Sequence, residues 1–205
     1  MTVFFKSDNM QKRLIHLLLI LNSVGLFAQQ TGTFTDSRDG KIYKTVKIGN
    51  QTWFAENLAY KANGGCWAFN KDTVNVPKYG YLYNWETAKT ACPAGWHLPS
   101  DAEWKTLTEY LGGAKVAGGK LKSTTDWLLN ASENDTNESG FNALPGSALG
   151  YSSNNFGELG VDAIFWSSTS TERKYFWLRH LNESKVLFRD FDFPAAGYSV
   201  RCIKD

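Results

Sequence analysis

Outside its first 28 residues, the side chains of this protein that could do chemistry are few: the cysteines Cys66, Cys92 and Cys202, the histidines His97 and His180, and a scatter of acids toward the C-terminal end. A zinc site needs paired histidine spacing or Cys-x-x-Cys, because several ligands must converge on one ion. Neither pattern occurs. Ala114-Lys-Val-Ala-Gly-Gly-Lys-Leu121 resembles a phosphate-binding loop, but Leu121 stands where a magnesium-binding hydroxyl belongs, and the segment follows a helical pattern instead of a strand. Ser167 and Ser168 lack the flanking glycines of a nucleophile elbow. Asp190 and Asp192, with Glu158 and Asp162, are hard oxygen donors of the kind Ca²⁺ takes, yet their placement reads as solvated charge at a strand end and in a loop. No catalytic residue, metal or cofactor is expected, and both histidines read as hydrogen-bonded structural residues.

Binding chemistry is better represented. The chain has eight Trp, and an aromatic face can stack on the C–H face of a sugar. Trp53, Trp85, Trp104 and Trp177 sit inside patterned segments and read as core, whereas Trp67 and Trp127 lie beside loops and read as exposed. Residues 132–160 are rich in Asn, Ser and Gly with little periodicity, and long loops of that kind tend to be functional. A ligand surface is expected there, drawing on Trp67, Trp127, Tyr151, Asn154, Asn155, Glu158 and Asp162. The sequons at Asn130, Asn134, Asn137 and Asn182 would matter only in a glycosylating pathway.

The elements that must carry these residues show as patterns. Lys41 to Ile48 alternates, with Ile42, Thr45 or Val46, and Ile48 competing for one face, and Gly49-Asn50 separates it from Gln51 to Phe54, which predicts a hairpin. Asn84 to Ala91 has helical spacing, stopped by Pro93. Ser100 and Glu103 match a capping box, followed by Trp104, Leu107 and Leu111 at helical spacing and by the stop Gly112-Gly113. Four strand-like runs then close the chain, at Ile164 to Ser168, Tyr175 to Arg179, Lys185 to Arg189 and Tyr198 to Ile203. Their connections are too short for helical crossovers, so they are expected to be antiparallel.

Residues 1–28 read as a secretory signal. Lys12 and Arg13 precede an apolar run from Leu14 to Phe27, which is shorter than the ~20 residues a membrane span needs. Residues 29–38 read as a short linker and 39–205 as one domain. An exported chain meets oxidising conditions, where three cysteines allow at most one internal pair. Cys92–Cys202 is favoured and worth about 4–5 kcal/mol in the entropic account. Cys66 would stay free or join two chains as a dimer. Removing Lys6, Lys12, Arg13 and Asp8 with the leader takes the net charge from +2 to about zero, which leaves no reason to expect nucleic acid as a partner. Nor does any later apolar run suggest membrane insertion.

Several ordered blocks resemble a known family. Asp39 to Trp53, Ala55-Glu-Asn-Leu58, Tyr79 to Trp85, Cys92-Pro-Ala-Gly-Trp-His-Leu-Pro-Ser100, Asn137 to Phe141, Trp166-Ser-Ser-Thr169 and Ser199 to Asp205 are similar to the Fibrobacter succinogenes major paralogous domain family. That resemblance implies an exported protein of Bacteroidota or Fibrobacterota and brings no activity with it. More distantly, Gly95 to Trp104 and Val200-Arg-Cys202 resemble blocks of the formylglycine-generating enzyme superfamily, which implies a C-type-lectin-like α+β fold of two helices, twisted antiparallel sheets and a long irregular loop region. In such domains a cysteine on the first helix pairs with one on the last strand, where Cys92 and Cys202 fall. The oxidase's C-terminal cysteine pair is missing, with Cys202 alone in that region, and the calcium motifs of sugar-binding C-type lectins are absent. The expectation is an exported recognition or envelope domain, at the cell surface, outside the cell or in the periplasm, that binds a glycan or surface protein. The alternatives are an oxidase-related enzyme using Cys202 or Cys66, and a passive adhesin-like unit.

Overall fold

The computed structural model describes residues 29–128, 135–150 and 155–205; the proposed leader lies outside them. The main sheet starts with β1 (Gln30–Thr35), β2 (Ile42–Ile48) and β3 (Gln51–Phe54), and is completed by β6 (Trp96–His97) and β10 (Ile203–Lys204), in the order β1-β2-β3-β10-β6. All its pairings are antiparallel. The hairpin expected at Gly49-Asn50 forms, with Ile48 opposite Gln51. Gly49 sits at φ +60°, where an added Cβ would lie 2.9 Å from the Tyr110 ring, so both backbone and space require glycine there.

Residues 29–38 are not a plain linker. β1 pairs with β2 along its whole length, from Gln30 opposite Lys47 to Thr35 opposite Ile42. The strand is exposed except for Phe34, whose ring meets Trp96 at 5.3 Å and Phe54 at 5.8 Å. An edge strand held mainly by backbone bonds buries too little to leave an apolar alternation in its sequence.

β2 also departs from its predicted facing. Ile42 is 61% exposed, while Tyr43, Val46 and Ile48 are all buried. Tyr43 and Phe54 join one core with Tyr83, Trp96 and Trp166; Val46, Ile48 and Trp53 join a second with Trp104, Phe141 and Phe165. The main sheet thus lies between two cores, and both of its faces must be apolar.

Among the described residues four α-helices occur, where two were expected: α1 (Val76–Tyr79), α2 (Trp85–Ala91), α3 (Asp101–Tyr110) and α4 (Ala114–Leu121). α3 carries the predicted capping box. Ser100 Oγ accepts from Glu103 N–H at 3.2 Å, and Glu103 Oε2 accepts from Ser100 N–H at 2.7 Å. α4 occupies the stretch that resembled a phosphate loop. Its Gly118 lies against the chain at 185–186, where a Cβ would come within 2.7 Å of two carbonyl oxygens, so this glycine serves close backbone packing.

The C-terminal strands form a second antiparallel sheet, with β7 (Ala163–Ser170), β8 (Phe176–Leu181) and β9 (Phe188–Asp192) in that order. β4 (Cys66–Trp67) and β5 (Leu82–Tyr83) make a small third one. Cys92, just after α2, is bonded to Cys202, just before β10, with Cα atoms 5.9 Å apart, within the usual span for a disulfide. Next to Cys202, Arg201 is fully buried and donates to Asn57 Oδ1 (2.8 Å) and to the carbonyls of Phe54, Phe141 and Asn142.

Two outcomes are expected. Arg201→Met leaves those acceptors unpaired and should lower the unfolding free energy by about 3 kcal/mol or more. In urea titrations, a loss under about 1 kcal/mol would make this cluster dispensable. Denatured protein should titrate one thiol before reduction, Cys66, and three after it.

Candidate ligand-binding groove

Strand alternation builds the most distinctive surface of the molecule. On β8, Phe176 and Leu178 point inward, and Phe176 stacks on Trp85 with ring centroids 3.6 Å apart. A period of two therefore turns Tyr175 and Trp177 to the other face. There β9 and the residue after it add Phe191, opposite Trp177, and Phe193. Phe191 is 48% and Phe193 37% exposed, with Tyr175 and Trp177 half-buried. The rings form a continuous row: Trp177 to Phe191 at 5.7 Å, Phe191 to Tyr175 at 5.2 Å, and Tyr175 to Phe193 at 4.6 Å. They line an open cleft of about 870 Å³, whose polar rim comes from Ser170, Thr171, Glu172, Arg173 and Asp192.

The hairpin loop that forms this rim is ordered by Thr171. Its N–H donates to Tyr175 O at 2.7 Å, and its hydroxyl accepts from Arg173 and Tyr175 N–H. At the other end of the row the face is held by α3. Asp101, the first residue after the Ser100 cap, accepts from Arg189 Nε and Nη2 at 2.9 Å each and from Arg179 Nη2 at 2.8 Å. Burial pushes the Asp101 carboxyl up, but bonds from Arg189 and Arg179 outweigh it and leave the group below its ordinary value. Arg189 in turn lies 3.3 Å from the centroid of the Trp177 ring. One helix cap thus fixes one aromatic wall.

β9 is an edge strand. The N–H of Phe191 donates to Asp190 Oδ1 at 2.8 Å and that of Phe193 to Asp192 Oδ1 at 2.7 Å, while the second oxygen of Asp192 accepts from the Tyr198 hydroxyl. The two aspartates weighed as calcium donors thus serve backbone amides.

The described residues predicted as a ligand surface lie outside the lining of this groove. Trp127 is buried, contrary to expectation, with the Lys122 ammonium 4.9 Å from its ring centroid; its neighbours in sequence are polar, but the folded chain covers it. Trp67 is half-buried in β4. Asn155 joins Asn70, Lys71 and Phe156 in a shallow cleft, Glu158 is exposed, and Asp162 Oδ1 accepts from His180 Nε2 at 2.7 Å. Tyr151 and Asn154 lie outside the described residues. Conversely, Trp177, read as core, is half-open to solvent. The sequence carries half of the signal, apolar rings on both faces of β8; that α3 reaches only the Arg179 end is decided by the tertiary structure.

Reactive groups are subdued. Cys202 is fully buried in the disulfide, and burial raises the Cys66 thiol above its ordinary pKa, the opposite of an activated nucleophile. Among the described residues no cluster of three or more His, Cys, Asp or Glu is placed to hold a metal. His97 bridges Glu103 at 2.8 Å and Asp205 at 2.6 Å.

Comparison with known proteins fixes the family. The model of the Fibrobacter succinogenes major domain matches residues 46–204. The chain belongs to this family. No curated protein and no solved structure matches. The matched range takes in the second core, the first core apart from Tyr43 and Phe34, the disulfide and the whole aromatic groove, while β1 and the start of β2 lie ahead of it.

A pH dependence follows from His97. Burial pulls its pKa down, but Asp205 and Glu103 outweigh this, so the folded value is raised above about 6.5. Its contribution is complete below that pH and is lost as pH rises through the folded value. With the side chain 40% exposed, the loss should stay below about 1 kcal/mol. Urea unfolding at pH 6 and pH 9 should show it, and His97→Gln should flatten it; equal slopes in both proteins would refute the assignment.

Proposed function

We propose that this protein is an exported, non-catalytic recognition domain that binds a glycan or protein ligand, and that the ligand seats in the aromatic groove of β8 and β9. One observation carries the reading: four adjacent aromatic side chains stand partly exposed on a paired strand with a polar rim. Exposed apolar surface of that extent costs solubility and marks an interaction site, and the strand pair gives it the rigid support that binding requires.

Export is supported by the leader-like segment at 1–28 and by the closed Cys92–Cys202 pair, which suits an oxidising compartment. Among the described residues no helix is long and apolar enough to cross a membrane. We read the α+β arrangement as C-type-lectin-like; the disulfide from Cys92, at the end of α2, the first helix longer than four residues, to Cys202, just before the final strand, supports this. The enzyme alternative has only Cys66 to offer, a half-buried thiol with a raised pKa.

The test is binding of purified protein to a glycan array and to bacterial or host surface extracts. Wild type should bind at micromolar concentration, and Trp177→Ala with Phe191→Ala should lose at least tenfold in affinity with little change in unfolding temperature. Absence of any partner, or retention of affinity by the double variant, would overturn the reading.

A further inference from the structure

We infer that the ligand of this groove is an uncharged carbohydrate chain several sugars long, and that Asp101 and Arg189 are positioning residues which hold Trp177 for it. This rests on the groove being the ligand surface and adds what that surface selects.

Three features separate a glycan from a peptide strand or an acidic polymer. A peptide partner would gain affinity by adding a strand to the open edge at β9. The amides of Phe191 and Phe193 are already occupied by the carboxylates of Asp190 and Asp192, and charged side chains along an edge strand discourage strand addition. The rim then mixes the hydroxyls of Ser170 and Thr171 with the Glu172 carboxylate. Such a set of donors and acceptors beside ring faces suits sugar hydroxyls beside sugar C–H faces.

Charge argues in the same direction. The rim carries Glu172 and Asp192 against Arg173, and the nearby Arg189 guanidinium is engaged bidentately by Asp101. A uronate or sulfate would meet like charge and find that guanidinium occupied. The four rings meet in two pairs, Trp177–Phe191 at 5.7 Å and Tyr175–Phe193 at 4.6 Å, joined by Tyr175–Phe191 at 5.2 Å, and this patch offers stacking faces to more than one sugar, so the matching ligand is a chain.

Preorganisation is the role of Arg189. Stacked 3.3 Å from the Trp177 centroid and tied to α3 through Asp101, it leaves the indole little rotamer freedom to lose on binding. Lysine cannot reproduce the planar, bidentate contact.

The test is affinity electrophoresis and titration calorimetry of the full chain, using soluble neutral polysaccharides (a β-glucan, a mannan and a xylan) and two acidic ones, alginate and polygalacturonate. At least one neutral chain should retard the protein, with affinity rising from a single sugar to an oligomer. Phe191→Ser and Trp177→Ala should each lose tenfold or more. Arg189→Lys and Asp101→Asn should lose about three- to tenfold and speed acrylamide quenching of tryptophan fluorescence in the free protein. Arg189→Lys with unchanged affinity and quenching would defeat the positioning role. Binding only of acidic chains, or neutral binding indifferent to Phe191→Ser, overturns the ligand class. Binding of a purified surface protein, abolished by Phe191→Ser and with no glycan bound, also overturns it while leaving the recognition reading intact. No ligand of any kind removes both.

Discussion

The buried guanidinium of Arg201 ties this fold together. Arg201 is fully inside the protein, and its guanidinium donates to three backbone carbonyls and to the Asn57 amide oxygen instead of to a carboxylate. Burial lowers its pKa to about 9, so it is still charged at neutral pH. A desolvated charge of this kind is tolerable only while every donor is satisfied. That condition fixes the end of β3 at Phe54, the turn at 141–142 and the approach to β10 at once. Its ring contacts, 4.4 Å to Phe141 and 5.4 Å to Phe165, extend the constraint into the sheet that bears the groove.

The blocks that carry the family resemblance gather around this cluster. Asn57, from the Ala55–Leu58 block, accepts from Arg201 and donates to Tyr79 O and Ser199 Oγ. Gly80, from the Tyr79–Trp85 block, is at φ +73°, where a Cβ would sit 2.5 Å from Leu58 O. Phe141 closes another block, and Arg201 and Cys202 belong to the last. The motif residues are thus largely accounted for by burial and backbone satisfaction, and the groove is made by side chains mostly outside them. Membership of the family and the nature of the ligand are separate questions for that reason.

Local chemistry was legible where it is self-contained. The capping box at Ser100 and Glu103, the turn at Gly49-Asn50, the antiparallel pairing of the strands begun at 164 and 175 and the favoured Cys92–Cys202 pair match the structure, whereas the run at 185–189 becomes a strand at 188–192 and the run at 198–203 is strand only from Ile203, in the main sheet. The local features rest on contacts between near neighbours, and the disulfide on the positions that the lectin-like resemblance gives its two cysteines. β1 escaped because it gains its hydrogen bonds from β2 without burying a face. α4 escaped because Gly118 and Gly119 argue against helix by propensity, and the packing of 185–186 onto Gly118 supplies what propensity withholds.

The sequence alone determined the class of fold, the family, the capped helix and the alternation that gives β8 two apolar faces. It could not decide which of those faces is covered, because cover depends on how far another element reaches. Tertiary structure placed α3 over the Arg179 end and left Tyr175, Trp177, Phe191 and Phe193 partly open beyond it, while burying Trp127 among residues distant in the chain. Burial is a property of the assembled surface, and so the groove could be recognised only once the strands, the helix and their aromatic rings stood in place.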